Sequence, residues 1–554
     1  MLKKICKSTN FSSYRQTLQR PLRIFIKFLS PHTIFVSPLA LAVQSPNSYT
    51  MSSLKRLASD TVIYGLSSIV GRFLNYLLVP LYTYKIASSS GGYGIVTEMY
   101  AYTALLLVIL TFGMETTFFY FANRTAPDGR RDYSDRVFST AACAVGSVSV
   151  LFLLLLFVFI TPISQALGYS AHPEYLTMMG CVVALDAFQA IFFAHLRYKG
   201  KPWKFAALKL AFIVGNIALN LFIFLAAPSL YMSHPQWMAW YNPQYQVGYI
   251  FLVNLICTAS VTLGFLPELR LLRHGIDFSL LKPMLRYTAP LLLLGIVGIL
   301  NQVADKICFR HLVPADEAEV QLGIYGACVK IAMIMAIITQ AFRYAYEPFV
   351  FAGSRSKDSK ESQALVMKYF LIFAMFAFLA VMAYLDIIKY IISPDYWEGL
   401  KAVPIVMMAE IFMSIYFNLS FWYKLVGRNW WGSLFSAIGC AVLIAINIIF
   451  VPRYSYMACA WGGVAGYGVC MVLSYLVGRA KSPVPYDMKA IVGYIVLAVG
   501  LYVVSIWLKP ATLGWELALN TLLLFVYIAV VCHFERNLVR GILDTVKRLK
   551  SKVR

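Results

Sequence analysis

The chain has 554 residues, 60% hydrophobic and 13% charged, with a formal net charge of +23. Soluble domains are about 45–50% apolar and about 25% charged, so this composition excludes a soluble enzyme or a string of soluble domains. The positive charges sit in short loops between apolar runs, which encodes orientation in a bilayer and argues against nucleic-acid binding. The ten cysteines are scattered without a C-x-x-C pair, so they read as small apolar residues and not as a metal or disulfide framework.

Residues 1–50 carry seven Lys or Arg and no Asp or Glu. Residues 22–43 are apolar in patches, interrupted by Arg23, Lys27, Pro31, His32 and Pro38. A basic signal or an amphipathic surface segment has this composition. The favoured expectation is a disordered tail or a start-site artefact, because Met51 is followed by Ser-Ser-Leu-Lys-Arg and then a clean apolar span.

A helix needs about 20 mainly apolar residues to cross the hydrocarbon core. By that measure fourteen spans lie near 60–84, 93–119, 137–160, 175–196, 205–227, 247–267, 285–307, 322–349, 366–391, 402–422, 431–451, 456–478, 490–508 and 513–533. The loops after even-numbered spans, with their flanking span ends, hold 21 Lys or Arg; the opposite loops hold seven. Cation-rich loops stay in the cytoplasm, which places both termini inside. The basic tail, 535–554, then lies against the anionic inner leaflet. The longest outward loop, residues 228–246, contains Trp237, Trp240 and several Tyr but no Lys or Arg, and reads as an interfacial aromatic segment.

Spans 1–2 resemble spans 7–8. Span 2 opens with Gly92-Tyr93-Gly94-Ile95 and closes with Phe119-Tyr120-Phe121-Ala122; span 8 opens with Gly323-Ile324-Tyr325-Gly326 and closes with Phe349-Val350-Phe351-Ala352. Each carries a carboxylate near its inner end, Glu115 and Glu347, and each follows a span with polar residues, Arg72 and Asn75 or Asn301, Gln302 and Asp305. Six helices separate the two copies, so the repeat is parallel, about an axis along the membrane normal. It divides the chain into a bundle at 51–275, a bundle at 276–480 and two further spans at 481–534.

The opening Leu57-Ala58-Ser59-Asp60-Thr61-Val62-Ile63-Tyr64-Gly65-Leu66, with Arg72, Pro80-Leu81-Tyr82-Thr83 and Gly92-Tyr93-Gly94, resembles bacterial polysaccharide biosynthesis proteins. These are the O-antigen and capsule flippases of the multidrug/oligosaccharidyl-lipid/polysaccharide exporter superfamily. By layout the resemblance covers residues 52–480. It implies an all-α integral membrane fold of two six-helix, MATE-like bundles around a cavity, here with two extra C-terminal helices. It also implies alternating access in the bacterial inner membrane. The implied cargo is a polyprenyl-diphosphate-linked oligosaccharide moved from inner to outer leaflet.

Charge deep in a bilayer costs at least about 2.5–3.5 kcal/mol on insertion scales and normally faces a cavity or a partner. Arg72 sits mid-span, Lys209 a few residues into span 5, Lys330 in the outer half of span 8 and Arg343 in its inner half. These four are the candidates to receive a diphosphate, since Arg presents a bidentate fork to phosphate. Lys209 and Arg343 are also near enough to an interface to snorkel. Glu115, Glu347, Asp186 and Asp305 are candidates for gating or for coupling to H+ or Na+, and Arg343 with Glu347, four residues apart, would form an ion pair.

Rival readings are a multidrug exporter of the same superfamily and, further off, a membrane-embedded polysaccharide polymerase. Asp186 and Glu410 favour a cationic cargo and Arg72 an anionic one. An enzyme would need a concentrated catalytic site. The seven His are dispersed, the His311/Asp316 spacing stands alone, and no Walker A, G-x-G-x-x-G or H-E-x-x-H motif is present. No cofactor or metal is expected.

Overall fold

The computed structural model describes residues 76–123, 132–353 and 359–536. Expected spans 2 to 14 all appear there, as thirteen helices long and apolar enough to cross a membrane. Of span 1 only its end is described, the helix Leu78–Lys85 (α1). Arg72, residues 1–50 and most of the basic tail lie outside the described residues.

Span 2 is two helices, Gly92–Thr111 (α2) and Met114–Ala122 (α3). They are parted by Phe112 and Gly113, both in the left-handed region at φ 35° and 73°. The break frees the Phe112 carbonyl, which accepts from the Thr288 hydroxyl. A broken helix is tolerated at membrane depth when a neighbour re-satisfies the backbone in this way. Gly113 is needed for a second reason, because a Cβ there would lie 3.0 Å from both Leu291 and Thr288.

The helices that follow are Tyr133–Val158 (α4), Pro173–Tyr198 (α5), Pro202–Leu221 (α6) and Gln246–Leu263 (α7), which with α2 and α3 form a first packed group. Proline opens α5 and α6, where its missing N–H has no helical partner in any case. A π turn at Phe222–Ala226 follows α6, just before Pro228. Helix α5 is the centre of this group, packing on α2, α3, α4, α6 and α7. Its core is aromatic, with Phe118, Phe138, Phe192 and Phe265 almost fully buried. In the loop after the π turn, Tyr241 stacks on Tyr249 at 5.4 Å, as suits an interfacial aromatic segment.

The second group is Phe278–Leu312 (α8), Ala315–Gly353 (α9), Ser359–Ala383 (α10), Val403–Leu419 (α11), Trp430–Tyr454 (α12) and Tyr456–Lys481 (α13). Asp277 caps α8, accepting from the Ser279 N–H at 3.0 Å. Helices α12 and α13 pack closely because Gly439 and Gly466 face each other: a Cβ on Gly439 would lie 2.7 Å from the Gly466 carbonyl oxygen. Helix α8 belongs to both groups, lying against α2 and α3 and against α12 and α13.

The last two spans are Met488–Trp507 (α14) and Leu513–Phe534 (α15). Helix α14 packs on α10, and the Asn520 side chain donates to the Ala383 carbonyl at 2.9 Å. The described residues from 76 to 524 belong to one compact unit; residues 525–536 belong to another.

Candidate functional site

The two glycine motifs read as repeat copies meet one another. At the crossing of α2 and α9, a Cβ on Gly94 would lie 1.9 Å from the Glu319 carbonyl oxygen and 3.0 Å from the Gly323 nitrogen. A Cβ on Gly326 would lie 2.3 Å from the Thr97 hydroxyl oxygen. No side chain larger than hydrogen fits, so the helices touch backbone to backbone.

Beside this crossing one guanidinium ties three helices and a loop together. Arg310, near the end of α8, donates to Glu98 of α2 at 3.2 Å, to Glu319 of α9 at 2.9 Å and to the Gly168 carbonyl at 3.1 Å. Glu98 is 1% exposed and also accepts from Tyr169 at 2.5 Å and Tyr102 at 3.1 Å. Burial and the Glu98 charge push the Tyr169 hydroxyl well above its ordinary pKa, so it keeps its proton and remains a donor. The guanidinium also lies 4.4 Å from the Tyr169 ring centre. Together these contacts clamp the bundle shut at the end where α2 begins, called here the Gly92 end.

At the opposite end, the Ala122 end, α8 stays with the first group. Tyr120 stacks on Tyr287 at 4.2 Å, and Arg136 pairs with Asp277. Helix α9 instead remains with the second group there: Tyr346 and Val350 pack on Phe417 and Phe421.

The expected site residues fall in three places. Lys209 of α6 lies 4.1 Å from the Phe193 ring centre and within electrostatic range of Asp186, Glu115 and Arg197. Glu115 pairs directly with Arg197. This group of helices therefore gathers one diphosphate candidate with two coupling candidates. Lys330 of α9 lies near Lys306, whose ammonium donates to both Asp305 oxygens at 2.9 Å. Asp305 accepts in addition from Tyr325 at 3.0 Å, and Glu410 lies within electrostatic range of the same Lys306. Arg343 is thirteen residues further along α9 than Lys330, roughly 20 Å at 1.5 Å per residue. Its guanidinium stands 3.9 Å from the Phe417 ring centre, a ring that Lys424 also approaches, at 4.3 Å. The Glu347 side chain, expected to pair with Arg343, lies outside the described residues, as does that of Asp316.

Sequence reasoning passed over the Arg310 clamp. Neither Glu98 nor Arg310 is among the candidates drawn from the sequence. The pair is 212 residues apart in the chain, which no local pattern reveals. Among the described residues no three His, Cys, Asp or Glu cluster as metal ligands.

No protein-family model matches the chain, and no curated protein matches it. Solved structures do. The lipid II flippase MurJ in an inward closed conformation aligns with a TM-score of 0.65 at 12% identity, over 86% of this chain and 100% of that one. The fold is that of MurJ and the MATE transporters. An inward-facing MATE family multidrug resistance transporter of the MOP superfamily aligns at 0.58, with 14% identity, over 74% of this chain and 94% of its own. An outward-facing transporter of the same description aligns at 0.52, with 13% identity, over 76% and 95%. At these identities the likeness establishes the architecture.

Proposed function

We propose that the protein is a flippase that carries a polyprenyl-diphosphate-linked oligosaccharide from the inner to the outer leaflet of the bacterial inner membrane. The observation that carries this reading is the fold shared with the lipid II flippase MurJ over that chain's whole length, together with basic residues inside the spans. A sugar headgroup brings many hydroxyls, each costing several kcal/mol to strip in hydrocarbon, and a diphosphate adds charge. Arg72, Arg343, Lys330 and Lys209 are the residues assigned to that charge; Glu115, Glu347, Asp186 and Asp305 are assigned to gating or to coupling with H+ or Na+.

Loop charge places the Gly92 end outside and both termini in the cytoplasm. In this reading the Arg310 clamp and the glycine crossing close the outer face, and cargo enters from the cytoplasmic side. Alternating access follows when the clamp breaks and the inner ends of α3 and α9 approach each other.

The test is flipping in proteoliposomes of a fluorescent polyprenyl-diphosphate oligosaccharide, read by protection from a membrane-impermeant quencher. Protein-dependent loss of protection, abolished by Arg72→Ala, is expected; flipping equal to empty vesicles would refute the function. Asp186 and Glu410 favour a second reading, export of a cationic drug. Proton-driven uptake of a cationic dye without lipid flipping would establish that reading instead.

A further inference from the structure

At the Ala122 end, the end of α13, the start of the Phe421–Lys424 turn and residues 482–486 enclose a cavity of about 310 Å3. Arg479, Ser482, Tyr475 and Tyr486 are among its lining residues, with Trp422 and the buried Ser474. Arg479 is exposed and forms no ion pair among the described residues. Between Phe421 and Lys489 the only acid is Asp487, and its carboxylate is engaged in capping α14 at Ala490.

The cavity is formed in advance by its own walls. The Trp422 indole donates to the Ser474 carbonyl at 3.2 Å, fixing the floor. Gly478 lets that ring lie flat on α13, because a Cβ there would come within 2.8 Å of two indole atoms. On the other side Pro483 and Pro485 stiffen the wall, which is tied at its start by the Ser482 N–H donating to Gly478 at 2.8 Å. Beside it Lys481 stands 5.3 Å from the Trp431 ring centre.

An unpaired arginine, several hydroxyls and aromatic walls at a span end match a phosphate group carried on a lipid. A guanidinium can take a phosphate bidentately, hydroxyls such as those of Ser482, Tyr475 and Tyr486 can donate to its remaining oxygens, and Val484 can meet the glycerol and upper acyl chain. Tyr and Trp at this depth suit the headgroup layer. We propose that this cavity is a binding site for the phosphate headgroup of an anionic phospholipid, separate from the cargo path. A bound lipid would brace the turn from the second bundle into α14.

The experiment is native mass spectrometry of the full-length protein in detergent, titrated with phosphatidylglycerol or phosphatidylcholine. One phosphatidylglycerol is expected to be retained in preference to phosphatidylcholine. Arg479→Gln should lower its occupancy about tenfold, the size of one charge-assisted contact. Arg479→Lys should keep part of it, and Arg273→Gln, an exposed cation of the same face, should have no effect. Equal binding of the two lipids, or equal losses from Arg479→Gln and Arg273→Gln, overturns the proposal. Displacement by equimolar polyprenyl diphosphate would make the cavity a cargo site, and displacement by millimolar inorganic phosphate a soluble-anion site; either result also overturns it. Because Arg479 is exposed, unchanged melting temperatures are expected for its variants, and binding is compared only between variants that meet this condition.

Discussion

Gly94 and Gly323, each within a motif that opens one copy of the internal repeat, touch through their backbones: a Cβ on Gly323 would lie 3.0 Å from the Gly94 nitrogen. Equivalent segments of two parallel repeats face each other where a symmetry axis between the halves passes, so this contact supports the proposed division into bundles. It also identifies the contact surface of the closed end.

Gly94→Val should force α2 and α9 apart, since its Cβ has no space against the Glu319 carbonyl. The closed Gly92 end would be lost. In a Thr97→Cys background, labelling by a membrane-impermeant maleimide is expected to speed up at least about tenfold when Gly94→Val is added. Unchanged labelling would show that the crossing does not hold this end shut.

Arg310→Gln leaves Glu98 buried without its cation. Breaking one side of a buried pair typically costs about 3–5 kcal/mol. A large drop in melting temperature is expected, with more than half restored by adding Glu98→Gln, because the double variant buries no lone carboxylate. Additive losses would mean that the two residues do not act as a pair.

Lys209 and Asp186 should be coupled through their charges. Lys209→Met and Asp186→Asn are each expected to lower stability. In a double-mutant cycle the coupling should reach about 1 kcal/mol, with Lys209→Arg close to wild type. A coupling near zero would separate Lys209 from Asp186 and leave it free to serve cargo alone.

Asp386 sets an acid limit on the attachment of the last two spans. Burial alone would raise its carboxyl, but hydrogen bonds from Lys389 and Lys509 and the Lys509 charge hold it down to about 2. A depressed carboxylate stabilises the fold above its unfolded value, 3.8, and that contribution fades as pH falls toward about 2. Wild type should therefore lose melting temperature between about pH 4 and pH 2 more steeply than Asp386→Asn. Parallel slopes would rule out this role.

The presence and order of spans 2 to 14 were legible in the sequence, because hydropathy is a local signal. Span 5 ran further than expected, to Ser233, since a π turn carries the helix past Pro228. The interruption at Phe112 was not foreseen: a single Gly in an apolar run is ordinary, and its meaning depends on Thr288, far along the chain. The charges were visible as a set but not as pairs. Asp305 read as a coupling residue, and the structure surrounds it with Lys306 and Tyr325. Lys209 read as able to snorkel, and it lies over the Phe193 ring, near Asp186.

The position of the glycine crossing gives α9 leverage. The helix has 39 residues, and the contact sits close to its first turns. From Gly326 to Gly353 the rod extends roughly 40 Å. A swing of about 10° around the crossing would carry its far tip about 7 Å, more than one helical turn. Atoms at the fulcrum would shift by only a fraction of that distance, so a wide opening at one face requires little sliding at the other.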